Sequence, residues 1–340
     1  MKRASFLILA ALLGYGCGNK TNETTESSSP SSQDLVTIER IDPAFDKLVD
    51  ANAQADVLAE GFEWSEGPLW LEDQQALIFS DVPTNTIYKW TAEKGKEKYL
   101  SPSGRTGSMP YGREPGSNGL TLNNDGKLVL CQHGDRRVAI MDAPLDAPEP
   151  KFITIIDNFE GKKLNSPNDV VVASNGDIFL TDPPYGLPNN VNDSTKEIPF
   201  QGVYKVSNGR VTLIADSVTR PNGIALFPGQ KKLIVASSDP EKSIWYTFEL
   251  DGNAVSNTKI FYDATSVAKT EKGLPDGLKI DSNGNVFATG PGGVWVFNSD
   301  GKVLGKIRFT ELTSNCALSP DEKTLYVTAD SYVVRVRLRN

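Results

Sequence analysis

The sequence predicts an all-β fold, a six-bladed β-propeller whose last blade is closed by a strand from the N-terminal side. Three observations carry this. One strand–turn–strand pattern occurs six times, its lead residue recurs about every fifty residues, and the last repeat is one strand short.

The six segments are "SEGPLWLEDQQALIFSDV", "SNGLTLNNDGKLVLCQHG", "PNDVVVASNGDIFLTDPP", "PNGIALFPGQKKLIVASS", "PDGLKIDSNGNVFATGPG" and "SNCALSPDEKTLYVTADS". Each opens on an acidic or amide residue, runs through a short apolar strand and a turn, and returns in a second apolar strand. Asp125-Gly126, Asn175-Gly176 and Asn283-Gly284 mark three of the turns. Such pairs favour tight hairpins, because a type I′ turn needs positive φ at both central residues. A third strand follows each hairpin, as in "TIYKWTA", "GVYKVSN" and "GVWVFNS", and most repeats add a fourth, as in "KVLGKIRF".

Behind Asn315, residues 316–340 suffice for three strands and not four. The segment "ADVLAEGF", residues 55–62, lies before the first hairpin and has no place in the first blade. It is therefore expected to pair with the last strand and close the ring, removing exposed sheet edges. A β-sandwich accounts less well for a lead residue repeated in matched register.

At the other end, residues 1–17 read as an export signal: Lys2 and Arg3 precede an apolar stretch from Phe6 to Leu13 that is too short to span a bilayer as a helix. The stretch ends at Gly16-Cys17 and resembles a bacterial lipoprotein signal, in which Cys17 is lipidated and becomes the mature N-terminus. An ordinary cleaved leader is the alternative. Residues 18–37 begin with a Ser/Thr/Asn tract that cannot bury a core and read as a flexible tether, leaving 38–340 for the propeller. The expected setting is periplasmic or cell-surface, on a bacterial membrane reached only through the lipid on Cys17. Cys131 and Cys316 sit in apolar strand-like runs and are expected as two free, buried thiols.

A net charge of -8, with no Lys/Arg cluster, argues against a nucleic-acid partner. No GxSxG elbow, P-loop or GxGxxG fingerprint occurs. The chemistry is expected instead from the lead residues. The first strand of each blade lines the central channel of a propeller, so Glu66, Asn118, Asn168, Asn222, Asp276 and Asn315 should gather round one axis. Two carboxylates brought together there repel unless a cation separates them. Amide oxygens beside two carboxylates suit a hard divalent ion. Ca2+, which takes six to eight oxygens at roughly 2.3–2.6 Å, fits better than Mg2+, and a single His with no Cys pair makes zinc a poor candidate. Mg2+, Mn2+ and Zn2+ stay as alternatives.

His133, the one histidine, follows the second strand of the second repeat, on the rim to which the lead residues belong. It is a candidate acid/base or substrate contact, while Asp81 and Asp182 on the same rim read as loop-fixing. Two Gly/Pro-rich inserts, "SPSGRTGSMPYGREPG" and "PPYGLPNNVNDSTKEIPF", open over the channel and make Arg113 and Tyr185 candidate substrate contacts.

With "SEGPLW", "LNSPNDVVV", "TDPPYGL", "RPNGIAL", "GLPDGLKID" and "SNCALS" in this order, the chain resembles the gluconolactonase, senescence marker protein 30 and luciferin-regenerating-enzyme family over residues 38–338, and among its members the bacterial gluconolactonases. The resemblance implies one catalytic divalent metal in the channel of a six-bladed propeller. The ligands it implies are Glu66, Asn168, Asn222 and Asp276, with Asp276 also the candidate general base. Asn118 and Asn315 occupy the repeat position without being standard ligands and are assigned to the surroundings of the metal or to substrate. The implied reaction is metal-assisted hydrolysis of a sugar lactone, with Asp276 or His133 activating water. A related ester or phosphotriester hydrolase, or a ligand-binding propeller with a structural metal, are the competing readings.

Overall fold

The computed structural model describes residues 35–107, 112–252 and 254–339. The leader, Cys17 and the tether as far as residue 34 lie outside the described residues, as do the expectations attached to them. The described chain forms six antiparallel blades arranged as a propeller, five of four strands and one of five, with a further two-stranded hairpin, Asn158–Phe159 with Lys162–Lys163, outside them. Innermost strands are Ser65–Leu71, Ser117–Leu122, Val170–Val172, Pro221–Leu226, Leu278–Ile280 and Thr313–Leu318.

Blade six closes as the missing strand requires. Gln54–Glu60 runs antiparallel to the last strand, Tyr332–Arg337, with Val57 opposite Val334. One feature differs from the sequence expectation. Val36–Arg40 pairs with Val303–Phe309 as a fifth, outermost strand of blade five, so Val36 and Thr37, assigned to the tether, are sheet residues. The cause is local: "VTIE" is rich in β-branched residues, and the Pro43–Lys47 turn behind it drives Phe45, fully buried, into the seam between blades five and six.

The core is not one mass but six apolar clusters, one in each seam between neighbouring blades. Alternation explains this, because residues on both faces of each blade meet a neighbouring blade. Between blades four and five the seam is aromatic, with Trp245 edge-on to Phe297 at 5.4 Å and Trp295 stacked on Phe297 at 5.9 Å between ring centroids. Cys131 and Cys316 are free and buried, as expected.

Regular pairing breaks where the lead residues stand. The register shifts between Glu66 and Leu69, Ser117 and Leu120, Pro221 and Ile224, and Thr313 and Asn315. In blades three and five the regular strand begins only after Asn168-Asp169 and Asp276-Gly277. Bulges of this kind bend a strand and re-aim a side chain, and they occur here where the lead residues stand.

Candidate active site

A cavity of about 360 Å³ opens at this end of the channel, and Glu66, Asn118, Asn168, Asn222 and Asp276 all line it. Trp64, Tyr185, Leu274 and Leu312 supply its apolar wall, and Glu114, Ser238 and Thr313 further polar groups. The convergence predicted from the repeat is therefore present for five of the six lead residues. Asn315 is buried but turned aside: its Oδ1 accepts the Cys316 N–H at 2.8 Å, and its Nδ2 reaches Glu66 Oε2 at 3.4 Å.

Backbone packing brings the lead residues this close. A Cβ on Gly67 would stand 2.2 Å from the Asn118 carbonyl oxygen, and one on Gly277 1.9 Å from Asn315 Cγ. Only a residue without a side chain lets adjacent blades approach so nearly. Blades three and six break this pattern, carrying Cys316 behind Asn315 and Asp169 behind Asn168. That carboxylate is buried, accepting the Val170 N–H at 2.9 Å and the Ile224 N–H at 3.3 Å.

Hydroxyl groups stitch the ring together. Ser80 Oγ donates to the Asn118 carbonyl (3.0 Å), Thr181 Oγ1 to that of Asn222 (2.7 Å), Ser238 Oγ to that of Pro275 (2.5 Å), Thr289 Oγ1 to that of Ser314 (2.9 Å) and Ser314 Oγ to that of Ser65 (2.6 Å). Between blades two and three the Gly119 N–H bonds the Asn168 carbonyl at 2.8 Å. Every seam is thus crossed by a buried hydrogen bond next to a lead residue. The hydroxyls went unnoticed in the sequence, although a Ser or Thr near the end of the second strand recurs in "FSD", "LTD", "ASSD", "ATG" and "VTAD".

Electrostatically the site is acidic. Burial pushes the Glu66 carboxyl up to about 8, and the nearby Asp169 and Glu114 charges add to this, while the Gly67 N–H and the Asn315 amide pull the other way. Asp276 is raised well above the carboxylate range, first by burial and then by the charges of Glu66, Asp169 and Glu114. Asp276 forms part of the cavity floor and stays partly exposed as a residue, yet its Oδ1 is shielded and without a hydrogen-bond partner, as is Asn118 Oδ1. Asn222 donates its Nδ2 to Ser238 Oγ at 2.9 Å, which leaves its own Oδ1 for the cavity.

This donor set fits a hard divalent cation. Two carboxylates that resist ionising together and amide oxygens with no donor facing them are what such an ion relieves. Among the described residues no three His, Cys, Asp or Glu side chains cluster so as to hold a metal ion by themselves, so the amides must complete any shell.

Of the other predicted residues, Tyr185 lines the cavity and hydrogen-bonds Ser238. Burial and the Asp276 charge raise its phenol, keeping it a donor. Arg113 is exposed and does not line the cavity; the adjoining Glu114 does. His133 is wholly buried and does not line the cavity either, which corrects the expectation of direct substrate contact: the Pro183–Leu187 loop lies over its ring. Asp81 and Asp182 fix loops, Asp81 Oδ1 accepting the Glu63 and Trp64 N–H groups (both 3.1 Å) and Asp182 Oδ2 that of Asn165 (2.8 Å).

Compared with known proteins, residues 64–331 match the model of the SMP-30/gluconolactonase/LRE-like region. The chain belongs to this family. A gluconolactonase from Zymomonas mobilis is 37% identical across the whole chain and 98% of its own length. A pentonolactonase from Haloferax volcanii is 24% identical over 77% of the chain and 80% of its own. Among solved structures, a gluconolactonase from Xanthomonas campestris superposes with a TM-score of 0.76 at 26% identity, covering 89% of this family member and 95% of its counterpart.

Proposed function

We propose that the chain is a lactonase, a carboxylic-ester hydrolase that opens sugar lactones such as gluconolactone with the help of a divalent cation, calcium by preference. The observation that carries this is the convergence of Glu66, Asn168, Asn222 and Asp276, with the unpartnered Oδ1 of Asp276, on one small cavity with a Trp64/Leu274/Leu312 wall. The family's gluconolactonases and pentonolactonase support the substrate class.

Glu66, Asn168, Asn222 and Asp276 would hold the cation, and Asn118 and Tyr185, which line the same cavity, would hold substrate hydroxyl groups. When bound, the ion supplies Lewis-acid polarisation of the lactone carbonyl and charge to balance the oxyanion. The apolar wall packs the ring face of the sugar and keeps bulk water from the carboxylates, which strengthens every electrostatic contact inside. Tyr185, kept protonated, donates a hydrogen bond to the bound lactone. Asp276 serves as a ligand first, because a carboxylate on a cation is a weak base.

Gluconolactone hydrolysis, followed with calcium and again after chelation, tests the reading. Activity lost on chelation and restored by calcium is expected. Undiminished turnover after chelation removes the metal, and absence of turnover with every lactone tried leaves a binding propeller.

A further inference from the structure

Glu114 belongs to no repeat and to no motif, yet it lines the cavity, its side chain one-third exposed, and its charge is felt at Glu66, Asp276 and Tyr185. Behind it stands His133. Nδ1 of His133 lies 3.4 Å from Glu114 Oε2. The imidazole is wholly buried, and neither ring nitrogen has a hydrogen-bond partner. Buried polar atoms left in that state ask for an explanation.

The backbone around the pair is held on three sides. The His133 N–H donates to the Gly116 carbonyl at 3.1 Å and the Gly134 N–H to that of Pro115 at 3.2 Å, while the Gly116 N–H reaches blade one at the Val82 carbonyl, 2.9 Å away. Above the ring, a Cβ on Gly186 would stand 2.5 Å from His133 Cβ. That loop is pinned by Ser166, whose Oγ donates to the Pro183 carbonyl (2.6 Å) and accepts the Gly186 N–H (2.9 Å). The imidazole is therefore sealed from water and from substrate, and Glu114 is the carboxylate through which it can act on the cavity. Other charged groups of these loops are engaged elsewhere, Asp135 with Arg105 and Arg137 and Asp182 with the Asn165 N–H.

We propose that Glu114 is the proton-transfer residue of the lactonase reaction and that His133, whose Nδ1 stands 3.4 Å behind its carboxylate, is its positioning residue. This rests on the lactonase reading and goes beyond it. Glu114 takes a proton from water as the water oxygen bonds to the lactone carbonyl carbon. It returns that proton to the ring oxygen as the carbon–oxygen bond of the ring breaks, giving a hydroxyl and a carboxylic acid, which then loses its proton to solvent. No oxidant or second substrate enters. Unlike Asp276, Glu114 is not among the expected ligands.

The experiment uses the full chain with calcium and gluconolactone. Glu114→Gln is expected to lower kcat by about 100-fold or more, the usual worth of a positioned acid/base, with KM and calcium affinity by calorimetry within about threefold. Formate should restore part of the turnover of Glu114→Ala. His133→Gln should cost about tenfold and nothing further in the Glu114→Gln background, as for two groups acting as a unit. Because the chain has one histidine, its imidazole 15N signals can be read directly, and they should move in Glu114→Gln. An unchanged kcat in Glu114→Gln, or unmoved imidazole signals, overturns the proposal and leaves the lactonase reading intact. A collapse of calcium affinity in that variant makes Glu114 a ligand and overturns it as well. No turnover by the wild type sinks both.

Discussion

Asn315 Nδ2 reaches Glu66 Oε2 at 3.4 Å across the seam where the last blade meets the first. The contact joins ring closure to the candidate metal site, because Glu66 also takes the Gly67 N–H at 3.0 Å on the same oxygen. Its other oxygen is left for the cavity.

Metal-free protein should lose stability as pH rises. Glu66, whose ordinary value is 4.5, titrates near 8 in the fold. Between these limits the unfolded chain has released the proton and the folded chain has kept it, so the unfolding free energy falls with pH and levels off above about 8. Asp276 acts in the same direction. Saturating calcium should flatten the slope, since ligand oxygens must be deprotonated to bind. Melting curves from pH 5 to 9, with chelator and with calcium, measure both; equal slopes would contradict the assignment.

Glu66→Gln and Asp276→Asn keep the shape of the site and remove one ligand charge each. Both should lower calcium affinity by at least tenfold and reduce turnover by about two orders of magnitude, in the range for electrostatic stabilisation of an oxyanion. Thermal stability without metal should rise, because a buried group that resists ionisation is gone. Titration calorimetry and melting temperature read the two effects apart.

Thr181→Val retains the β-branched shape but loses two bonds, from Oγ1 to the Asn222 carbonyl at 2.7 Å and from the Asp169 N–H at 3.1 Å. Leaving buried partners unpaired costs about 1–3 kcal/mol. Chemical denaturation should show this loss with an unchanged m-value, and calcium affinity should drop as Asn222 loses its anchor.

Lipid attachment at Cys17 is a separate expectation. Expressed with its own leader in a bacterium, the wild type should take up labelled fatty acid and fractionate with membranes, and Cys17→Ala should do neither. Label retained by the variant would place the anchor elsewhere.

Much of this was legible along the chain. Hairpin turns at Asn-Gly and Asp-Gly, strands of alternating residues and a lead residue in fixed register are local signals, and the shortfall behind Asn315 exposed the closing strand. The repeat led six equivalent positions to be expected in one environment, and five of them, Glu66, Asn118, Asn168, Asn222 and Asp276, line one cavity; the choice of four among them as ligands came from the family resemblance.

What no stretch of sequence could decide is how near neighbours stand when they come from different blades. The seam-crossing hydroxyls, Asp169 in place of a glycine, the turning away of Asn315 and the facing of Glu114 and His133 all depend on side-chain direction at bulges and loops. His133 shows the limit best: its place on the rim follows from strand direction alone, yet its burial comes from a loop of another blade. Repeat spacing sets which end of the channel a residue occupies; only packing between blades sets whether it meets solvent, substrate or another side chain.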